Sequence, residues 1–318
     1  PMSTLYGSDA MGGVVNIITR RVAPEWGGSV GVDTTLQQHD DFGDLYSGNA
    51  YLNGPLAGDV LGLAVWGGFH KREPADITYT QDNGTEIVPI MGANPVNYRN
   101  FNAGARLTLA AGEFNDLSLE GTTNRQKYDN SAGQLGTLGT GGYAEEQRYE
   151  RDQVVLAWTG RFGFGTFDAS LMDSTTETIG RLVPPGVPGA GMPRTLENEN
   201  TVFDAKLVSS FGDHTLSVGG QYWDAKMVDG VAPAPFEFEQ WALFAEDEWR
   251  FHEDFNLTLG LRHDDHSTFG SHLSPRAYLV WNAGEHWVVK GGISQGYKTP
   301  RLEQLADGIN GFGGQGRI

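Results

Sequence analysis

The chain has 318 residues, with 40 acidic against 22 basic side chains and a formal charge of -18, a balance that speaks against a nucleic-acid binder, which needs a basic footprint. Cysteine is absent, which excludes a disulfide framework, a thiol nucleophile and a thiolate metal site. No run approaches the roughly 20 apolar residues of a membrane helix. That hydropathy is shared by soluble proteins and by β-barrels, whose lipid face supplies only every second residue.

In chain order, the first patterned stretch is Leu5 to Arg20. A turn at Tyr6, Gly7, Ser8 and Asp9 leads to small residues at Ala10, Gly12 and Gly13. Val14, Val15, Asn16, Ile17, Ile18, Thr19 and Arg20 then read as a short strand, because paired glycines allow close backbone approach and the β-branched run favours extension. From Gly27 the pattern has period two. Val30, Val32, Thr34 and Leu36 alternate with Ser29, Gly31, Asp33 and Thr35, and the next strand sets Leu61, Leu63, Val65 and Phe69 against Gly62, Ala64, Trp66 and His70. Similar alternation recurs from Arg99–Ala111 to His286–Tyr297, giving about thirteen strands near the length a tilted membrane strand needs.

The connections alternate in length. Short turns are expected at Ala57–Gly58, Gly112–Asn115, Gly163, Gly212, His252–Asp254 and Ala283–Glu285. Long polar loops lie between them, at Glu73–Tyr98, Asn130–Gln147, Gly180–Glu199 and Asp229–Glu237. Aromatic residues bracket the short turns: Phe162, Phe164, Phe211, Trp249, Phe251, Phe255, Trp281 and Trp287. Short turns at one end, long loops at the other and a ring girdle are the anatomy of an outer-membrane barrel, and a soluble sandwich has no reason to sort its loops this way. Asp82-Asn83-Gly84-Thr85 adds a hairpin signal inside the longest loop. The expected fold is all-β: an antiparallel transmembrane β-barrel, which the resemblance given next implies is present as an incomplete, open sheet.

The stretch Tyr6, Gly7, Asp9, Ala10, Gly12, Gly13, Asn16, Thr19 and Arg20 resembles the end of the plug domain of TonB-dependent outer-membrane receptors. The segments Gly27 to Leu56, Leu243 to Arg250, Gly260 to His266, Ser274 to Val280, and Gly296 to Leu305 extend the resemblance in order along the whole chain. Within the family they are similar to the ferric-catecholate receptors, the enterobactin and colicin I types. The resemblance implies residues 1–23 as the end of a plug and residues 24–318 as the N-terminal part of a barrel of about 22 strands. Pro1 to Leu5 has neither a basic start nor an apolar core, and no closing strand follows Gly308 to Gly316, so an internal fragment of a longer receptor is expected. It further implies uptake of a ferric catecholate siderophore energised through TonB, which would be contacted by a region N-terminal to this chain. Outer-membrane lipid and lipopolysaccharide would surround the barrel, and a bacteriocin of the colicin type is a further implied partner. Haem, cobalamin or another siderophore is the alternative cargo, and a passive porin the alternative architecture, against which the plug terminus speaks.

Ferric catecholates are bulky anions whose iron is already held by ligand oxygens. A receptor for them needs no resident cofactor and no protein metal ligand. It needs cations for the charge and ring faces for the catechols. Candidates at the long-loop end are Lys71, Arg72, Arg99, Arg125, Lys127, Arg148, Arg151, Arg181, Arg194 and Lys226, with Tyr79, Tyr98, Tyr128, Tyr143 and Tyr149 near them. The densest cluster is Arg125, Lys127, Tyr128, Arg148, Tyr149 and Arg151. The bland alternative is that these cations pair with Asp129, Glu145, Glu146 and Asp152 as solvated rim salt bridges. His263, Asp264, Asp265 and His266 are metal-like in composition, but alternation sends them to opposite faces. No serine elbow, paired-histidine metal motif or phosphate loop stands out, so catalysis is not expected.

Overall fold

The computed structural model describes residues 23–39, 41–87, 96–133, 135, 143–300 and 302. The plug-like stretch from Tyr6 to Arg20 lies outside the described residues. Strands account for the rest of the architecture: β1 (Gly27–Thr35), β2 (Leu45–Ala57), β3 (Leu61–Arg72), β4 (Tyr79–Thr80), β5 (Glu86–Ile87), β6 (Tyr98–Ala110), β7 (Asn115–Asp129), β8 (Tyr143–Phe162), β9 (Gly165–Arg181), β10 (Leu196–Phe211), β11 (His214–Asp229), β12 (Phe236–His252), β13 (Phe255–His266), β14 (Gly270–Gly284) and β15 (Trp287–Ser294). A 13-stranded sheet takes all but β4 and β5, in sequence order, and every pair is antiparallel. β1 and β15 are its edges, so the sheet is open, and it begins at the expected Gly27.

Register explains how the two faces form. Leu63 stands opposite Leu107, Leu107 opposite Leu119, Leu119 opposite Leu156, and Leu156 opposite Leu171. The row continues through Phe203, Tyr222 and Trp241. Cross-strand partners share a face, so period two in each strand becomes one continuous apolar wall. That wall is exposed: Leu259 is 50% and Leu243 60% accessible. The opposite face is polar and its upper part is buried, with Arg262 and Asp264 each at 2%. The segment after β15 crosses that face. Tyr297 stacks on His272 at 4.6 Å, and Leu302 packs with Ala225, Met227 and Phe238. Apolar outside and polar inside inverts the arrangement of a soluble protein and suits a wall between lipid and an aqueous lumen.

The short turns and the ring girdle coincide as expected. Phe162 stacks on Phe164 at 5.3 Å. Phe211, His214, Trp249, Phe251, Phe255 and Trp281 form a chain of ring contacts from β10 to β14. At the other end the strands run further than hydropathy alone indicates. β8 starts at Tyr143 and β10 at Leu196, inside the loops expected at Asn130–Gln147 and Gly180–Glu199, and β9 reaches Arg181. These extensions stand above the apolar band and carry polar residues on both faces, so ladder hydrogen bonds extend them after the hydropathy alternation has stopped. Residues 182–195 are folded back by the Leu182–Pro193 bridge, and Arg194 Nε donates to Asp229 Oδ1 at 2.7 Å within a buried ion pair. The connection at 267–269 is short although it lies at the long-loop end. The β4–β5 hairpin turns through Asn83 and Gly84, the latter at φ +79°, as the Asp-Asn-Gly-Thr signal predicts.

Candidate functional site

Alternation splits the six densest candidates between the two faces. On β7 and β8, Arg125 stands opposite Glu150, Lys127 opposite Arg148, Gln126 opposite Tyr149 and Asn124 opposite Arg151. Arg125, Lys127 and Arg148 therefore share the outer face with Leu119 and Leu156, while Tyr128, Tyr149 and Arg151 share the inner face.

The outward cations are engaged by carboxylates. Arg125 reaches Asp152 at 2.6 Å and Glu150 at 3.2 Å. Arg148 reaches Glu150 at 3.1 Å and Glu146 at 3.4 Å, and Lys127 also contacts Glu146. These groups are largely solvated, so each pair contributes on the order of 0–1 kcal/mol. Lys71 pairs with Glu73 and Lys226 with Glu199 in the same manner.

The inward rings form a ladder across four strands. His70 stacks on Tyr98 at 5.3 Å, Tyr98 stacks on Tyr128 at 5.6 Å, and Tyr149 meets Tyr128 edge-on at 5.9 Å. Tyr98 faces Arg72 on one side and Tyr128 on the other in direct register. The Arg72 guanidinium lies 4.7 Å from the Tyr98 ring centroid and donates from Nε and Nη2 to the Val96 carbonyl at 3.4 Å each. Arg151 donates to Gln153 Oε1 at 3.0 Å. Among the described residues neither Arg72 nor Arg151 makes an ion pair. Two arginines with no carboxylate partner among the described residues flank three tyrosine rings at the long-loop end of the polar face.

A bulge extends this site. Between Tyr143 and Arg148 the β8–β9 register shifts. The buried Gln147 fills the irregularity and donates to the Gly180 carbonyl at 2.6 Å. The bulge re-aims Tyr143, whose ring carries the Arg181 guanidinium at 4.0 Å. Arg194, by contrast, is consumed by its buried pair with Asp229.

Arg72 and Tyr98 belong to the broad set of sequence candidates but not to its densest cluster. The excursion between β3 and β6 separates them in sequence, and only register places them together. Asp264 and His266 point inward, with Asp264 bound to Arg262 at 3.0 Å, whereas His263 packs on Trp241 on the outer face. The four cannot converge on one ion. Among the described residues His252, Glu253 and Asp254 bring ligand atoms within 4.8 Å of one another, but on an exposed turn at the end opposite the ring ladder.

A family model described as TonB dependent receptor-like, beta-barrel, matches residues 25–317. Over the whole chain, 33% of residues are identical to an iron-regulated outer membrane virulence protein of Vibrio cholerae, of which 46% is covered. The ferrienterobactin receptor of Escherichia coli is 26% identical over 96% of this chain and 46% of its own length. Among solved structures, the siderophore receptor PirA of Pseudomonas aeruginosa superposes with a TM-score of 0.74 at 25% identity, over 95% of this chain and 49% of the other. The chain thus spans about half the length of the relatives it matches. The Escherichia coli and Pseudomonas aeruginosa proteins are receptors by name.

Proposed function

This chain belongs to the TonB-dependent receptor-like β-barrel family, and from that premise we propose that the protein it forms part of imports a ferric catecholate siderophore. Its location is the outer membrane of a Gram-negative bacterium, with the apolar wall in lipid and the polar face toward the lumen. Residues 1–23 would close the plug domain, and uptake would be energised through TonB. The iron would arrive already chelated, so no resident cofactor is needed.

The observation that carries the cargo class is the luminal pairing of Arg72 and Arg151 with the rings of Tyr98, Tyr128 and Tyr149. An anionic catecholate is met there by positive charge and by flat π-faces together. The ferrienterobactin receptor and PirA, whose names state enterobactin or siderophore reception, support the same class. The test is binding of a ferric catecholate, a ferric hydroxamate, haem and cobalamin to the purified intact receptor. Binding of the catecholate alone, lost on combined Arg72→Ala and Arg151→Ala substitution, is the expected result. Preference for haem or cobalamin would replace the cargo, and ungated passage of unrelated solutes would indicate a porin.

A further inference from the structure

After β15 the chain turns back as a strap across the luminal face of β11 to β14. Gln295 N donates to the Pro275 carbonyl at 2.9 Å, and Thr299 and Leu302 are buried. Two ring contacts anchor it. Tyr297 stacks on His272 of β14 at 4.6 Å. Leu302 packs with Ala225, Met227 and Phe238, and Phe238 stacks in turn on His266 of β13 at 4.6 Å. Each anchor thus rests on an imidazole, the second through Phe238.

His266 is built to be neutral. It is 1% exposed, between Phe238 and Phe269. Its Nδ1 accepts from the Thr268 N–H at 3.0 Å, which assigns the proton of the neutral ring to Nε2. Nε2 is buried without a protein partner. Charging the ring adds a proton at Nδ1, where it would oppose the Thr268 N–H. Two donors would then face each other with no acceptor, and the cation would lie in an apolar sandwich. The ring can escape only by leaving Phe238 and the turn at 267–269.

The neighbouring charges are already engaged. On β13, Asp264 is held by Arg262 and by Gln240 Nε2, each at 3.0 Å, and Asp265 accepts from Ser271. From β12 come Phe238 and Gln240, and from β11 Ala225 and Met227, with Asp229 tied to Arg194. On β14, His272 stands opposite Asp264, and Arg276 holds Glu246 further down. The strap brings Tyr297 and Lys298. His266 ends β13 at the long-loop end, beyond the membrane-spanning part. There burial pushes its pKa below the usual imidazole range, against the attraction of Asp265.

We propose that His266 is a pH-sensitive latch that holds the strap on the luminal face near neutrality and releases it in acid. The packed ring takes up a proton less readily than the released one. Closure is therefore complete above the ordinary imidazole pKa of about 6.5 and is lost as pH falls below it. Release uncovers Arg262, Asp264 and the upper lumen beside β11 to β14. The ring ladder lies on β3 to β8, so this inference does not rest on the cargo.

The test is hydrogen exchange of the intact receptor in phospholipid vesicles at about pH 7.5 and about pH 5.5, corrected for the intrinsic pH dependence of exchange. Protection over 295–299 should fall about fivefold in acid, the factor for one proton taken up by a depressed imidazole, while that of β6 holds. His266→Phe keeps a ring against Phe238 without a titrating nitrogen and should stay protected at both values. His272→Phe, which keeps a ring against Tyr297, should open in acid like wild type. Equal protection of wild type at the two values would overturn the proposal without requiring any variant to fold. So would a His266→Phe protein that still opens in acid. If His266→Phe is unprotected at both values, the carbon-13 shift of the wild-type His266 ring decides. Protonation in step with opening supports the latch, and a ring that stays neutral while the strap opens overturns it.

Discussion

Arg72 and Tyr98 face each other across β3 and β6, with the guanidinium 4.7 Å from the ring centroid. Their residues are separated by the β4–β5 excursion, yet they begin the ladder that runs through Tyr128 to Tyr149. Arg72→Ala should weaken ferric-catecholate binding to the intact receptor by about tenfold, since a charged hydrogen bond contributes roughly 1.5–3 kcal/mol. Arg148→Ala, on the outer face, should leave that affinity within about threefold, as expected for an exposed pair. The two affinities, measured by fluorescence quenching or calorimetry, check the face assignment. The reverse order of effects would move the site.

Tyr98→Phe and Tyr98→Ala should separate the ring from the hydroxyl. The Arg72 contact uses the ring face, so Tyr98→Phe should bind like wild type. Tyr98→Ala removes the middle of the stack and should weaken binding by several-fold, since stacked and cation–π contacts contribute about 0.5–2 kcal/mol. Equal losses in the two variants would assign the role to the hydroxyl instead.

Leu259→Arg tests the outer wall. Leu259 is 50% exposed and stands opposite Ala277 and Asp247. An arginine on the lipid face costs about 2–4 kcal/mol near the bilayer midplane and about 0–1 near the interfaces. Unfolding of the intact receptor from phospholipid vesicles should show a loss in the upper range. A loss below about 1 kcal/mol would place Leu259 away from the midplane.

Arg194 and Asp229 test the folded-back loop. Both side chains are nearly fully buried, so removing one partner strands the other charge and costs about 3–5 kcal/mol. Arg194→Met should raise hydrogen exchange over residues 182–195. Arg194→Met with Asp229→Leu should be milder than either single change, because no unpaired charge remains. A double variant as damaged as the singles would mean that the pair acts through its other hydrogen bonds.

Gly180 tests the bulge. Its φ is +94°, and a Cβ there would lie 2.0 Å from the Glu146 carbonyl oxygen. Gly180→Ala should therefore cost more than the roughly 1–3 kcal/mol of an unfavourable backbone region alone. It should also disturb the Arg181–Tyr143 contact, measurable as lost protection in the first residues of β8. Normal protection there would mean that the bulge relaxes elsewhere.

The strand count, the open antiparallel sheet, the start at Gly27 and, apart from the connection at 267–269, the sorting of turns by length are legible in the sequence. Period-two alternation such as Leu61, Leu63 and Val65, and glycine-bearing turns such as Gly212, are local, and, the β4–β5 hairpin apart, each strand of the large sheet pairs with the next in sequence. Alternation alone also separates His263 from Asp264, since adjacent strand residues face opposite ways. What the sequence left open lies above the apolar band, where both faces of a strand are polar and periodicity carries no signal. There β8 begins at Tyr143, a bulge re-aims that ring, and residues 182–195 fold against Asp229. Register, a property of paired strands, put Lys127 and Arg148 on the outer wall and brought Arg72, Tyr98 and Tyr128 together on the inner one. One strand's composition fixes which residues can share a face. Only hydrogen bonding to its neighbours fixes which of them stand side by side, and the candidate site is made of such neighbours.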